Sequence, residues 1–430
     1  MAATDTHRTI EAVWRIESAR LIAALARMVR DVGLAEELAQ DAFVVALERW
    51  PEGGIPEKPG AWLMATAKRR AIDRLRRGTR IERKHQELAH QLEAQQAATP
   101  DLDAAIDDEV GDDLLSLIFT ACHPVLSPEA RVALTLRLLG GLTTVEIARA
   151  FLTPEPTIAQ RIVRAKKTLA EAGVPFEVPR GPEREERLAS VLAVIYLVFN
   201  EGYAATAGED WIRPSLCEEA LRLGRILAGL APQEPEVHGL LALMELQASR
   251  FNARRGPGGE PILLLDQNRA RWDHLLIGRG LAALARAEAL GGARGPYTLQ
   301  AAIAAVHARA RTAEQTDWPA IVARYDALAE AAPSPIVELN RAVAIAMASG
   351  PAAGLARIDA LRDEPALHGY HLLPAARGDL LVKLGRSGEA RAEFERAASL
   401  TENARERRIL LERAAACASD APGAHAAREV

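Results

Sequence analysis

The chain has 430 residues, with 53 basic against 58 acidic side chains and a net charge of −5. A uniformly basic nucleic-acid coat is therefore excluded, although a local basic patch is not. Hydrophobic residues reach 49% and aromatics only 4%, and the Ala-, Leu- and Arg-rich filler favours helix over strand.

In chain order, residues 10–50 read as two helices. Val13, Ile16, Leu21, Leu25 and Val29 recur at helical spacing, with Gly33 as the stop. Leu38, Ala42, Val45, Ala46 and Trp50 line one face of the second. Six Pro and Gly residues between 51 and 60 then make a loop. A third helix is expected over 62–77, with Leu63, Ala67, Ala71 and Leu75 inward and Lys68, Arg69, Arg76 and Arg77 outward, broken by Gly78.

Charge is segregated around this helix. Residues 60–85 hold nine Lys/Arg against Asp73 and Glu82, a local net of +7. Residues 86–113 hold nine acids and no Lys or Arg. The basic helix beside Trp62 suits a nucleic-acid strand, with stacking for bases and cations for phosphates. A solvated helix followed by an acidic loop remains the plainer alternative.

Residues 110–170 predict a second helical unit. Ser127-Pro128-Glu129 is a helix start, and Gly140-Gly141 a stop. Thr143 or Thr144 caps a short helix over 145–151, with Glu146 completing a capping box. After the turn Leu152-Thr153-Pro154, a longer helix runs over 155–172. Short helix, tight turn and longer cationic helix make a helix-turn-helix pattern. Thr157, Ala159, Gln160, Val163, Arg164 and Lys167 form the candidate groove face, over a packed face of Ile158, Ile162, Ala165 and Leu169. A three-helix packing unit with a solvated Arg/Lys face is the alternative.

From residue 183 on, helices alternate with short Gly/Pro turns. Gly378, Leu381, Gly385, Ala390, Phe394 and Ala397 stand at tetratricopeptide spacing, where small residues let two helices cross closely. A degenerate copy lies 35 residues earlier, with Gly350 matching Gly385. Together these argue for a helical solenoid.

Residues 10–170 carry a resemblance to a known family. The segment Ala35-Glu36-Glu37-Leu38-Ala39-Gln40-Asp41-Ala42-Phe43 is similar to the polymerase-docking segment of extracytoplasmic-function (ECF) sigma factors. Ala61-Trp62-Leu63, followed by residues 67–77, is similar to the family helix that melts and reads the −10 element. Residues 142–148 and 157–169 are similar to its −35-reading helix-turn-helix. This chain has Arg69 where Asn is common, and Ala159-Gln160 in place of a Lys/Arg-Ser pair, so its −35 specificity should differ. The extension resembles that of the group with a C-terminal tetratricopeptide-like domain, through residues 194–203 and 265–273.

The resemblance implies an all-α protein with four parts. Residues 1–78 would be region 2, 79–109 an acidic linker, 110–173 region 4, and 184–430 a tetratricopeptide-like regulatory domain acting in cis. Glu37, Gln40, Asp41, Phe43 and Trp50 would contact core RNA polymerase. Lys58, Trp62, Lys68, Arg69, Arg70, Arg74, Arg76 and Arg77 would contact the −10 element. Thr157, Ala159, Gln160, Arg161, Val163, Arg164 and Lys167 would contact the −35 element. The expected partners are the β and β′ subunits of core polymerase, promoter DNA and a regulatory protein on the extension. A one-component helix-turn-helix regulator with a ligand- or protein-binding solenoid is the second reading.

No enzyme is expected. Cys122, Cys217 and Cys417 lie far apart without C-x-x-C spacing, no phosphate-cradling glycine motif is present, and neither a metal nor a cofactor is implied. The polar start and the lack of an 18-residue apolar run suggest a cytoplasmic protein. In the extension, Asn200, Glu201, Asp266, Gln267, Arg269 and Asp273 are candidates either for a polar site or for inter-helical bonds.

Overall fold

The computed structural model describes residues 2–86, 106–205, 207–208, 212–256 and 261–419. Among the described residues the chain is all-α apart from one pair of two-residue strands and an isolated bridge between Arg255 and Pro261, and it divides into two units, Met1–Leu197 and Val198–Val430.

The first unit holds α1 (Ala2–Val29), α2 (Val32–Gly53), α3 (Pro59–Gln86), α4 (Ile106–Ala121), α5 (Pro128–Leu138), α6 (Thr144–Ala150), α7 (Glu155–Glu171) and most of α8 (Gly181–Tyr203). α1 packs against α2, α3 and α4. Its fully buried Leu21, Ile22 and Leu25 meet a core that includes Leu63 of α3 and Leu117 of α4. Ile16, by contrast, is 68% exposed and leaves the expected stripe. The turn after α1 also falls earlier than Gly33. Arg30 takes a left-handed φ of 55°, and the Asp31 side chain accepts from Leu34 N at 2.9 Å to cap α2.

α3 runs through Gly78 to Gln86 instead of breaking there. One glycine costs a helix only about 1 kcal/mol, which strong helix formers on both sides can offset. The expected linker at 79–109 therefore begins inside a helix, and residues 87–105 lie outside the described residues.

α8 extends what the sequence assigns to the promoter-reading part. Arg187 Nη2 donates to Phe119 O at 3.3 Å, and Ser190 Oγ donates to Cys122 O at 2.6 Å. These bonds satisfy carbonyls at the end of α4 that its own helix cannot. Arg131 Nη1 in turn donates to Ser190 Oγ at 2.5 Å. Residues 184–197, which the sequence boundary at 184 places in the extension, thus lie in the first unit.

The second unit continues with β1 (Ala207–Gly208), α9 (Pro214–Leu230), α10 (Pro235–Ala248), α11 (His274–Ala289), α12 (Pro296–Arg309), α13 (Trp318–Ala331), α14 (Pro335–Ser349), α15 (Pro351–Asp359), α16 (Leu372–Lys383), α17 (Ser387–Leu400), β2 (Glu402–Asn403) and α18 (Ala404–Ser419). Helices adjacent in sequence pack on one another throughout. Glu236 of α10 caps α12, accepting from Tyr297 N and Thr298 N at 2.8 and 3.1 Å. In the Gly378 unit, a Cβ on Gly378 would lie 2.7 Å from the Phe394 ring, so only glycine lets α16 seat on that buried ring. Gly350 and Gly385 both take positive φ, 97° and 74°, at matching interhelical turns.

Among the described residues, a strand pairing reaches beyond the near-neighbour packing of a solenoid. β1 pairs in parallel with β2, Ala207 against Glu402 and Gly208 against Asn403. The fully buried Asn403 donates from Nδ2 to Ala205 O at 3.3 Å. The beginning and end of this unit are thus hydrogen-bonded to each other.

Candidate polymerase and nucleic-acid interface

α2 presents the segment matched to polymerase docking. Glu37 and Asp41 are exposed, while Gln40 and Phe43 are half-buried. Asp41 pairs with Arg70 of α3 at 3.0 Å, and Phe43 lies against Trp14 with ring centroids 4.8 Å apart. The Asp41–Arg70 pair is solvent-exposed and contributes under about 1 kcal/mol, so exchanging it for another partner costs little. Trp50 departs from expectation. It is 2% exposed and packs edge-on against Trp62 at 5.3 Å, so it supports the surface rather than forming it.

α3 carries the cationic face. Lys58, Arg69, Arg70, Arg74 and Arg76 are exposed, Lys68 and Trp62 are half-buried, and the Arg77 side chain lies outside the described residues. Leu75 does not face inward as the periodicity suggests; it and Ile72 are 43% and 40% exposed. The outward face of α3 therefore mixes guanidinium groups with apolar carbons.

α6 and α7 form the helix-turn-helix as the capping signals foretell. Glu146 N donates to Thr143 Oγ1 at 3.1 Å, and Thr143 N donates back to Glu146 Oε2 at 2.8 Å. Burial pushes the Glu146 carboxyl up, but the Thr143 bonds and Arg15 outweigh it and hold it below the usual range. Leu152, with φ 48°, makes the turn. Ile158, Ile162, Ala165 and Leu169 are buried. Thr157, Gln160, Val163, Arg164 and Lys167 are exposed, and Ala159 and Arg161 are half-buried. Val163 is 64% exposed, an apolar group held in water on the outer side of α7.

One residue that the site reading overlooks ties these parts together. Glu36 is 2% exposed on α2, and Arg137 Nε of α5 donates to its Oε1 at 2.6 Å. Lys166 of α7 pairs with its other oxygen, and Gln40 Nε2 donates to Oε1 at 2.5 Å. Arg15 of α1 also pairs with Glu146 of α6 at 2.8 Å. α2, α5 and α7 are thus locked together by a buried carboxylate with two cations. A sequence signal exists: Glu36 sits on the buried stripe formed by Val32, Ala35, Ala39, Ala42, Ala46 and Trp50.

Three of the polar candidates in the extension make structural bonds. Glu201 pairs with Arg213, Asp273 Oδ1 caps α11 through Leu275 N and Leu276 N, and Gln267 Nε2 donates to Ile262 O at 3.1 Å. Among the described residues no group of side chains could hold a metal ion, and no helix is long and apolar enough to cross a membrane.

Comparison with known proteins agrees with this layout. Residues 15–81 match the family model described as Sigma-70 region 2, and residues 116–169 match Sigma-70, region 4. Residues 187–288 match a family of unknown function, DUF6596. An uncharacterized protein of Rhizobium meliloti is 45% identical over 386 residues, covering 89% of this chain and 90% of the relative. A probable ECF RNA polymerase sigma factor, SigI of Mycobacterium tuberculosis, is 29% identical over 181 residues, 41% of this chain and 60% of that protein. An ECF RNA polymerase sigma factor, SigK of a Mycobacterium species, is 30% identical over 154 residues, 33% of this chain and 72% of that protein. No solved structure matches. With Sigma-70 regions 2 and 4 matched in order and the SigK relative, 30% identical, covered over 72% of its length, the chain belongs to the ECF sigma factors, in a form with a C-terminal helical extension.

Proposed function

We propose that this sigma factor binds core RNA polymerase through the exposed edge of α2, at Glu37, Gln40, Asp41 and Phe43. It then engages the −10 element with Lys58 and the α3 face as far as Arg77, and the −35 element with Thr157, Ala159, Gln160, Arg161, Val163, Arg164 and Lys167. The observation that carries this reading is exposure. Lys58, Arg69, Arg70, Arg74, Arg76, Arg164 and Lys167 are exposed, while the apolar stripe beneath α7 is packed. Exposed Arg and Lys supply phosphate contacts, and the short or amide side chains Thr157 and Gln160 suit base edges. Trp62, half-buried, keeps part of its ring for stacking.

The reading has a geometric consequence. Elements centred near −10 and −35 are about 25 base pairs apart, or roughly 85 Å at about 3.4 Å per pair. Helices joined through Glu36 cannot span that distance, so the α2–α7 lock opens when promoter is bound. The extension acts in cis on this factor, and a protein that shares the compartment of polymerase and DNA works in the cytoplasm.

In vitro transcription with core polymerase on a set of genomic promoters tests this. Promoter-specific transcripts are expected, and Arg164→Ala with Lys167→Ala should weaken initiation at promoters that depend on the upstream element. Absence of both specific transcript and co-elution with core would overturn it. A tight duplex footprint by the protein alone would favour the one-component regulator.

A further inference from the structure

Two guanidinium groups meet on one buried indole in the second unit. Arg250 follows α10, and its Cζ lies 5.8 Å from the Trp272 ring centroid. Arg269 comes from the 3-10 turn Arg269–Arg271, and its Cζ lies 5.1 Å from the same ring. Tyr203 also stands beside Arg250, 5.7 Å from ring centroid to Cζ, with its hydroxyl accepting from Nη2, and a third cation, Arg254, lies 3.6 Å from the same ring. His307, in the last turn of α12, stands in the field of Arg250 and Arg269.

The hydrogen-bond partners of Arg250 and Arg269 are neutral, and the carboxylate in the field of Arg269, Glu314, is solvent-exposed. Arg250 bonds to the Tyr203 hydroxyl and Gln247 Oε1. Arg269 bonds to His307 O and Ala310 O at 2.7 and 2.8 Å, and to Thr316 Oγ1 at 2.9 Å. Trp272, Arg269 and His307 are only 4%, 8% and 8% exposed. Arg250 Nε, Arg269 Nε, Trp272 Nε1 and His307 Nδ1 are nonetheless buried without a hydrogen-bond partner. Buried donors left unmet are costly, and so are like charges held together with only an exposed carboxylate, Glu314, in their field. Both deficits call for the same complement. Arg250 and Tyr203 are only half-buried, which leaves the cluster a side open to solvent.

We infer that the cluster of Arg250, Arg269, Trp272 and His307 is a binding site for a small oxyanion, a carboxylate or a phosphate. The two guanidinium groups neutralise it, and Trp272 Nε1–H orients it by a single directed bond. Tyr203 belongs to α8, Arg250 follows α10, and His307 belongs to α12, so the anion bridges three helices and biases their packing. This gives the extension a chemical input. It deepens the regulatory part of the proposed function, but binding itself does not depend on that reading.

The test is calorimetric titration of the full chain with inorganic phosphate and, separately, with citrate, so that the two anion classes are distinguished and transcription is not involved. Saturable binding of at least one is expected. Arg250→Gln and Trp272→Phe, the latter keeping an aromatic ring while removing the N–H, should each weaken it roughly tenfold or more. Far-UV circular dichroism checks that each variant folds, and two independent variants guard against the loss of one. No saturable binding of either anion overturns the inference. So does equal binding by both folded variants, which would mark an adventitious ion held elsewhere.

Discussion

At the scale of single residues, burial decides more than identity. Cys122 is buried, and desolvation, only partly offset by Thr135, pushes its thiol up to about 11. Cys217 is raised further for the same first reason, so neither behaves as a nucleophile in the folded chain. His307 moves the other way. Burial first, then Arg250 and Arg269, lower it from 6.5 to about 4. The unfolded chain takes up this proton near its ordinary value, whereas the folded chain refuses it until about pH 4. The contribution is therefore complete above about pH 6.5 and is lost as pH falls toward about 4. Its size is up to about 3 kcal/mol. Urea unfolding in buffers free of phosphate and carboxylate should show a smaller free energy at pH 5 than at pH 7.5, and His307→Gln should flatten that slope. An identical slope in the variant would remove His307 as the cause.

At the scale of elements, locally encoded features are the legible ones. The Ser127 and Thr143 caps and the α7 stripe rest on hydrogen bonds and spacings within one or two turns, and the chain folds accordingly. Leu75 and Ile16 follow the same spacing yet face water, because a neighbour that would cover them is set by tertiary packing and not by periodicity. Glu36 is the counterpart: its spacing marks it as buried, but its partner Arg137 lies 101 residues away. Nothing local announces that pairing, nor the docking of α8 onto α4. Arg137 and Lys166 keep about a fifth of their side chains in water, so they can rehydrate when the carboxylate is neutralised. Glu36→Gln should then loosen the α2–α7 lock by roughly 1–3 kcal/mol. Spin labels on cysteines replacing the exposed Glu48 and Glu171 should report longer distances in that variant. A distribution unchanged from the parent would rule the lock out.

At the scale of the whole molecule, the net charge of −5 averages over a strongly basic α3 and an acid-rich stretch after it. The all-α class and the order of the promoter-reading parts are legible from composition and motif. The tie between β1 and β2 is not, because two-residue strands leave no alternating pattern to read. That tie predicts how the second unit loses structure. Removing residues beyond Leu400 deletes β2 and α18, and hydrogen exchange should then speed up in α9 and α10 as well as near the cut. Protection retained in α9 would show that the tie is dispensable. The tie also has a meaning in time. Asn403 and Ala205 are 198 residues apart, so the closing bonds cannot form until the ribosome has delivered both. At about 5–20 residues per second, roughly 10–40 s separate the two. During synthesis, every nascent copy passes through an interval in which its promoter-reading helices have been made and its extension is still open.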